Sequence, residues 1–301
     1  MTIQVPSISG ICAVILWSTC VPIARIVTEH LGSLMAGALI QFVGGIFGIV
    51  YFISQRNLLL RFKSQSTKFI LWCGVTFSLY FLFLYLAIGL AESREQLIEI
   101  GLIQYLWPTF TLLFSLVLLP KKASPLLIIG MLLALSGGYI AITSGAVFSL
   151  DAIVVNFQNS PYPYVFAFIA AVFWALYSNL NTLLTAEDGL GVFAFFMLFT
   201  GLLLFGSGIF LGEEFILSKV PYFELFYLGT VSTLGYALWE YGMKKGDVTL
   251  ITVFSYFAPL LYALFGMWYL GVEMEGYIIL SCILLIAGAF LSKISITDKN
   301  S

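Results

Sequence analysis

Apolar segments of about 20 residues follow one another along almost the whole sequence, and this pattern limits the fold more than any other feature. Hydrophobic residues fill 61% of the 301 positions and charged residues only 9%, whereas soluble domains carry about 25% charged residues. A soluble fold of this length has too little interior to hide so much apolar surface from water. Lipid is therefore expected to surround most of the chain.

Each apolar segment predicts one membrane-spanning helix, since backbone groups in hydrocarbon must be satisfied internally and the residue alternation of a β-barrel is absent. The ten predicted helices cover residues 8–29, 33–54, 67–90, 97–119, 124–144, 162–184, 190–212, 223–244, 249–270 and 274–295. Residues 1–145 and 162–301 hold five helices each, and residues 146–161 connect them outside the cytoplasm. Five is an odd number, so the prediction is an all-α membrane protein of two inverted five-helix repeats around a central cavity.

A recurring motif supports this division. Residues 104–115 (QYLWPTFTLLFS) recur in degraded form at residues 255–266 (SYFAPLLYALFG), and each copy has a tyrosine three positions before a proline. Proline lacks an N–H and clashes with the preceding turn, so it bends a membrane helix. Pro108 and Pro259 are predicted to be hinges in matching helices, although a static packing kink is the simpler alternative.

Two further alignments relate the halves. The residues SGGY at 136–139 align with AGAF at 287–290, and Trp17 aligns with Trp174. The alternative is that apolar segments of similar length align by chance. Orientation follows from the cations, since cationic loops resist translocation. With both termini in the cytoplasm, only three of the 13 lysines and arginines face the other side; they are Arg25, Arg94 and Lys219.

Several aromatic residues lie near the centres of predicted helices, whereas tyrosine and tryptophan usually gather at the membrane interfaces. They are Tyr105, Trp107, Trp174, Trp17 and Tyr80. Flat rings suit a flat ligand, and buried Tyr O–H and Trp N–H groups need polar partners. We predict that these side chains line a substrate-binding site; the alternative for each is plain helix packing.

Three polar residues join this candidate site. Gln104 and Ser255 begin the two copies of the repeated motif, and Asn179 lies near Trp174. A buried amide or hydroxyl is costly unless it is hydrogen-bonded. Each is therefore predicted to hold the amino or carboxylate group of a substrate, and the alternative is a hydrogen bond between neighbouring helices.

Three charged residues lie near the ends of predicted helices. Arg25 and Glu99 are predicted to form a gate on the outer side, and Glu240 on the inner side is a candidate for proton coupling. The alternatives are that these side chains snorkel to the interface and that Glu240 pairs with Lys244 one turn later.

Glycines at four-residue spacing predict close helix packing, either within the chain or across a homodimer. They are Gly44 with Gly48 and Gly208 with Gly212.

No cofactor, metal or nucleic-acid site is predicted. One histidine and four cysteines in apolar stretches show no metal-ligand spacing, and the motifs of nucleotide-binding loops and hydrolases are absent. The net charge of −2 does not favour nucleic acid. A membrane enzyme or scaffold is the alternative class, but few ionisable residues lie at depth to support catalysis. A transporter without direct ATP drive is favoured.

The stretch at 95–114 (EQLIEIGLIQYLWPTFTLLF) resembles helix 4 of the YddG-type aromatic amino acid exporters, which belong to the EamA-like drug/metabolite transporter superfamily. The residues LWST at 16–19 and YVFAFIA at 164–170 support the resemblance. It implies a bacterial inner-membrane permease with cytoplasmic termini and a cavity faced by Tyr105 and Trp107. The expected function is alternating-access export of aromatic amino acids or similar small zwitterions; another amino acid, a nucleotide-derived metabolite or a drug is the alternative solute.

Overall fold

The computed structural model describes residues 5–54, 58–119, 121–142, 160–185, 191–246, 251, 254–273 and 275–298. Its helices are α1 (Val5–Leu31), α2 (Ser33–Ser54), α3 (Leu58–Ser64), α4 (Thr67–Leu90), α5 (Arg94–Gln104), α6 (Trp107–Leu118), α7 (Leu126–Ile142), α8 (Pro161–Leu184), α9 (Phe193–Phe210), α10 (Tyr222–Lys245), α11 (Ala258–Leu270) and α12 (Gly276–Ile294). The predicted connecting loop lies outside the described residues except for its last two positions.

Seven of the helical stretches in the described ranges are long and apolar enough to cross a membrane. They are Val5–Leu31, Ser33–Ile53, Thr67–Leu90, Arg94–Leu118, Pro161–Leu184, Phe193–Phe210 and Gly276–Ile294, and the shorter apolar helices are Leu126–Ala141 and Ala258–Leu270. The all-helical membrane class is therefore confirmed. Helix α10 is long enough to span, but glutamate and lysine residues near its ends lower its apolar character.

At the first proline motif, the single bent helix predicted for residues 97–119 is two helices separated by a break. The chain leaves α5 at Gln104 and re-enters a helix at Trp107, with Pro108 in the first turn of α6. Across the break, the Leu106 N–H donates to the Ile103 carbonyl at 3.0 Å, a tighter turn than an α-helix has. The proline ring accounts for the break because it would clash with the carbonyl four residues earlier.

The second motif has the same local backbone. The Phe257 N–H donates to the Phe254 carbonyl at 3.0 Å, and Pro259 lies in the first turn of α11. Each of these positions lies 151 residues after its counterpart in the first motif. Two distant stretches with different side chains therefore adopt one turn geometry around an equivalent proline.

Helices from the two halves of the chain pack on one another throughout. Helix α1 packs on α10, α4 on α8, α2 on α9, and α7 on α12. Between α2 and its neighbours the backbones come very close, since a Cβ on Gly44 would overlap Met197 and lie 2.9 Å from the Gly229 carbonyl oxygen. Gly44 and Gly48 therefore serve packing within the chain, one of the two roles predicted for them.

A short antiparallel ladder closes one end of the helix bundle. Strand β1 (Lys121–Ala123), between α6 and α7, pairs with β2 (Ile296–Asp298), directly after α12. The Ser124 N–H also donates to the Ser295 carbonyl at 2.9 Å. The ladder attaches the segment after α12 to the connection between two helices of the first half.

Candidate functional site

Aromatic rings from five helices meet inside the bundle, and we call this group the aromatic cluster. It consists of Trp17 on α1, Tyr80 on α4, Trp107 on α6, Trp174 on α8 and Tyr236 on α10. The Trp174 ring lies 4.7 Å from Tyr80, 6.2 Å from Tyr236 and 6.3 Å from Trp107, between ring centroids. The Trp17 ring lies 5.4 Å from Tyr236. These are favourable tilted and edge-on geometries.

The aromatic cluster lies far from the outer surface of the protein, yet its rings keep accessible surface area. The hydroxyls of Tyr80 and Tyr236 lie deep within the protein. The rings of the cluster are nevertheless only half-buried. A side chain far from the outer surface that keeps accessible area borders an internal space, which is the usual environment of a small-molecule site.

Tyr236 was not among the sequence-predicted residues, although a signal for it exists. The offset of 157 positions between Trp17 and Trp174 places the counterpart of Tyr80 at position 237, one residue from Tyr236. The structure shows the same relationship, because Tyr80 packs on Trp174 as Tyr236 packs on Trp17. Applying the repeat to Tyr80 would have pointed to this turn of α10.

Gly235 makes the close approach of Trp17 possible. A Cβ at this position would overlap the indole Nε1 and Cδ1 of Trp17. The absence of a side chain on α10 thus lets the indole lie flat against the backbone and reach Tyr236.

Tyr105 lies at the helix break and makes a different ring contact. Its ring centroid is 5.7 Å from that of Tyr262, whose hydroxyl donates to the Leu97 carbonyl at 2.7 Å. Gly101 leaves room for Tyr262, because a Cβ there would overlap the phenol. Tyr105 therefore stands beside the contact between α5 and α11, close enough to Tyr80 for the two hydroxyls to interact electrostatically.

The predicted polar residues have separate environments. The Gln104 amide donates to the Tyr80 hydroxyl at 3.5 Å, a long and weak hydrogen bond that joins it to the aromatic cluster. The Asn179 amide nitrogen donates to the Thr111 and Ala175 carbonyls, both at 2.9 Å, and so attaches α8 to α6. Ser255 is half-buried immediately before the second helix break.

Arg25 lies in a charged network at the end of the bundle where α1 and α4 finish. Its guanidinium binds Glu29 at 2.9 Å and donates to the Ile88 carbonyl at 2.7 Å. Arg94 lies 3.5 Å from the same Glu29 and donates to the Leu270 carbonyl at 2.9 Å. Both arginines thus meet the carbonyl end of a helix, where a cation is favourable, and Glu29 links them.

Glu99 has different partners from Arg25, so the structure does not show the predicted pair as such. Its carboxylate accepts the Tyr164 hydroxyl at 2.6 Å and the Tyr277 hydroxyl at 3.2 Å. The residue is only 4% exposed, which is inconsistent with snorkelling. Glu99 therefore connects α5 to the beginnings of α8 and α12.

The side chains of Glu240 and Lys244 lie outside the described residues, although both positions belong to α10. Among the described residues, no group of three histidine, cysteine, aspartate or glutamate side chains could hold a metal ion.

Comparison with known proteins adds independent information. The model of the EamA-like transporter family matches residues 6–143 and 162–294. The aromatic amino acid exporter YddG of Escherichia coli (strain K12) is 32% identical over 265 residues, which cover 87% of each chain. The YddG protein of Salmonella typhimurium is 30% identical with the same coverage, and that of Ancylobacter novellus is 29% identical over 93% of this chain and 94% of its own.

A solved crystal structure has the same fold, with a TM-score of 0.68 and 27% identity over 96% of this chain and 97% of that one. The family model covers most of the sequence, and the apolar helices account for a multi-pass membrane protein. The chain belongs to the EamA-like transporter family.

Proposed function

We propose that this protein is a secondary transporter that exports aromatic amino acids, or similar small zwitterions, across the bacterial inner membrane by alternating access. The aromatic cluster is the binding site for the substrate ring. Residues 1–145 and 162–301 are two inverted repeats of five helices, connected by residues 146–161, and both termini lie in the cytoplasm.

The pattern of helix contacts supports the inverted repeat. Numbering the spans from one to ten, α1 on α10 is a contact between helices 1 and 8, and α4 on α8 is one between helices 3 and 6. If helices 1–5 are exchanged with helices 6–10 in order, helix 1 becomes helix 6 and helix 8 becomes helix 3. The first contact is thereby converted into the second. The contacts of α2 with α9 and of α7 with α12 map onto themselves under the same exchange. The family model, which matches the two halves separately, is consistent with this arrangement.

The observation that carries the substrate assignment is the aromatic cluster itself. Offset and edge-on stacking on a flat ligand contributes about 0.5–1.5 kcal/mol for each ring pair. The cluster offers rings from five helices, and each ring is half-buried. An aromatic solute also agrees with the relatives named aromatic amino acid exporters.

Two sets of residues take part in the conformational change of alternating access, one as hinges and one as a gate. Pro108 and Pro259 act as hinges at equivalent breaks, so that the half-helices on either side can tilt. The network of Arg25, Glu29 and Arg94 closes the outer side, because it connects helix ends that have to separate when substrate leaves.

Efflux of labelled tryptophan from proteoliposomes tests the proposal. The wild-type protein should release tryptophan faster than empty liposomes, and Trp107→Ala should abolish this release while the protein remains folded. Trp268→Ala is the matched control, because Trp268 is 77% exposed and lies outside the aromatic cluster. An unlabelled panel of other amino acids, nucleosides and drugs should compete less well than phenylalanine or tyrosine. If another solute competes where the aromatic amino acids do not, the substrate assignment is wrong.

A further inference from the structure

Several hydroxyls and one thiol lie in the region of the aromatic cluster, where Tyr80 and Tyr236 both pack on Trp174. The Cys20 thiol lies within electrostatic range of four hydroxyls, and we call this group the tyrosine–cysteine cluster. The hydroxyls belong to Tyr80, Tyr85, Tyr105 and Tyr236. They come from α4, from the first helix break and from α10, and the thiol comes from α1. Two of them, on Tyr80 and Tyr236, belong to rings of the aromatic cluster, so the polar and apolar groups adjoin.

Two of these hydroxyls have unused hydrogen-bonding capacity. The Tyr85 and Tyr236 hydroxyls lie deep in the protein and make no hydrogen bond to the described part of the chain. Neither oxygen is among the fully buried, unpaired polar atoms of the described residues, so each keeps some surface that a small molecule can reach. A phenol hydroxyl inside a protein usually has a hydrogen-bond partner. Such a group is satisfied by water or by a polar group of a ligand.

Gln41 on α2 gives an independent indication of a missing partner. Its side-chain oxygen Oε1 is buried and has no hydrogen-bond partner among the residues that the structure describes, and the residue is 1% exposed. The ring of Tyr85 packs directly over Gly37 on the same helix. Gln41 follows Gly37 by four residues and therefore lies on the same face of α2, one turn further along. An unpaired acceptor thus lies on the face of α2 that packs against Tyr85.

The tyrosine–cysteine cluster carries no formal charge. The electrostatic neighbours of these hydroxyls are other tyrosines and cysteines. Ser232 on α10 adds a further hydroxyl next to the Cys20 thiol. Hydroxyls both donate and accept, so one set of them can serve an ammonium and a carboxylate at once. A zwitterionic head group has no net charge, and neutral polar groups suit it better than a single arginine or glutamate would.

We propose that the tyrosine–cysteine cluster, together with Gln41, binds the zwitterionic α-amino acid head group, while the aromatic cluster holds the ring. This inference rests on the proposed transport function and adds to it the residues that recognise the charged end of the substrate. It differs from the expectation that Asn179 contacts the head group, because both amide protons of Asn179 are bonded to backbone carbonyls.

Ligands with and without the head group separate the two subsites. Isothermal titration calorimetry on the purified protein, with detergent blanks, compares L-tryptophan with indole, which is the ring alone. The variants Tyr236→Phe and Tyr85→Phe keep each ring and remove its hydroxyl. Tyr162→Phe is the control, because Tyr162 is 65% exposed at the beginning of α8.

Tryptophan should bind about 10-fold more weakly to Tyr236→Phe and Tyr85→Phe, as expected for the loss of a hydrogen bond to a charged group, and indole binding should change less than about 2-fold. Tyr162→Phe should bind both ligands like the wild type. An equal loss for both ligands, or no loss for either, overturns the head-group assignment and leaves the transport proposal standing. A wild-type protein that binds indole but not tryptophan contradicts both the head-group assignment and the proposed export of aromatic amino acids. If the wild type binds neither, the proposed function itself is wrong, and the head-group assignment falls with it.

Discussion

Glu213, in the turn after α9, accepts a hydrogen bond from the backbone N–H of Met35 at 2.7 Å and so caps the first turn of α2 from the other half of the chain. The other carboxylate oxygen accepts the Leu34 N–H and the Ser33 hydroxyl, both at 3.1 Å. The first N–H groups of a helix have no partner within it, and a carboxylate there is also favoured by the helix dipole. Gly32, with φ of 83°, leaves the space that the carboxylate occupies.

Glu213→Gln should lower the stability of the protein. An amide keeps one acceptor oxygen but loses the negative charge and one set of hydrogen bonds, which costs about 1–3 kcal/mol. The expected result is a lower melting temperature in detergent, measured by the fluorescence of the native tryptophans. Glu214→Gln is the control, because that neighbouring side chain is exposed. Equal melting temperatures for the two variants would show that the cap contributes little.

Hydropathy and the proline motif predict the architecture well because both act locally. An apolar stretch of about 20 residues has one way to satisfy its backbone in lipid. A proline within it removes a hydrogen bond wherever the helix lies. Pro22 shows the limit of such reasoning, since α1 continues without interruption through that proline. Whether a proline breaks a helix or only perturbs it depends on the packing around it.

The site is less predictable, because it depends on which side chains meet across helices. The structure brings the rings of Trp17, Tyr80, Trp107 and Trp174 together through Tyr236, and their role in binding stays a prediction. The partner of Arg25 could not be predicted in the same way. Glu29 lies one turn away on the same helix, and the neighbouring helix supplies a carbonyl rather than a carboxylate. A long side chain near a helix end can reach several partners at similar distances, and the sequence does not show which one it binds.

Gly235→Ala should impair transport without preventing folding. The added methyl overlaps the indole of Trp17, so the ring has to move away from α10 and from Tyr236. Efflux of tryptophan should fall by about 10-fold or more, which corresponds to roughly 1.4 kcal/mol of lost binding or transition-state stabilisation. Gly206→Ala on α9 is the matched control, because a Cβ there meets no atom within 4 Å. Similar efflux by the two variants would remove Trp17 from the site.

Glu29→Gln should loosen the charged network while changing stability little. Partly exposed ion pairs contribute about 0–1 kcal/mol, so the melting temperature should stay close to that of the wild type. Efflux from the wild type should respond to a change from about 0.05 to 0.5 M NaCl, since salt screens exposed charges. The variant should lack this response, whereas the exposed control Glu273→Gln should keep it. If efflux by Glu29→Gln still responds to salt, the response comes from other charged residues.

Pro108→Ala and Pro259→Ala test whether the two breaks are hinges or static kinks. Alanine restores an N–H and removes the clash with the preceding turn, so each helix can become more regular. A hinge role predicts that the melting temperature is unchanged or higher while efflux falls, and that binding of tryptophan is retained. A static kink predicts lower stability, because the surrounding side chains are packed around the bent helix.

The exposed Pro125, before α7, provides the control substitution, which should change neither the melting temperature nor efflux. The equivalent backbone geometry at the two prolines also predicts effects of similar size in the two variants; a large effect at only one of them would mean that a single half-helix moves.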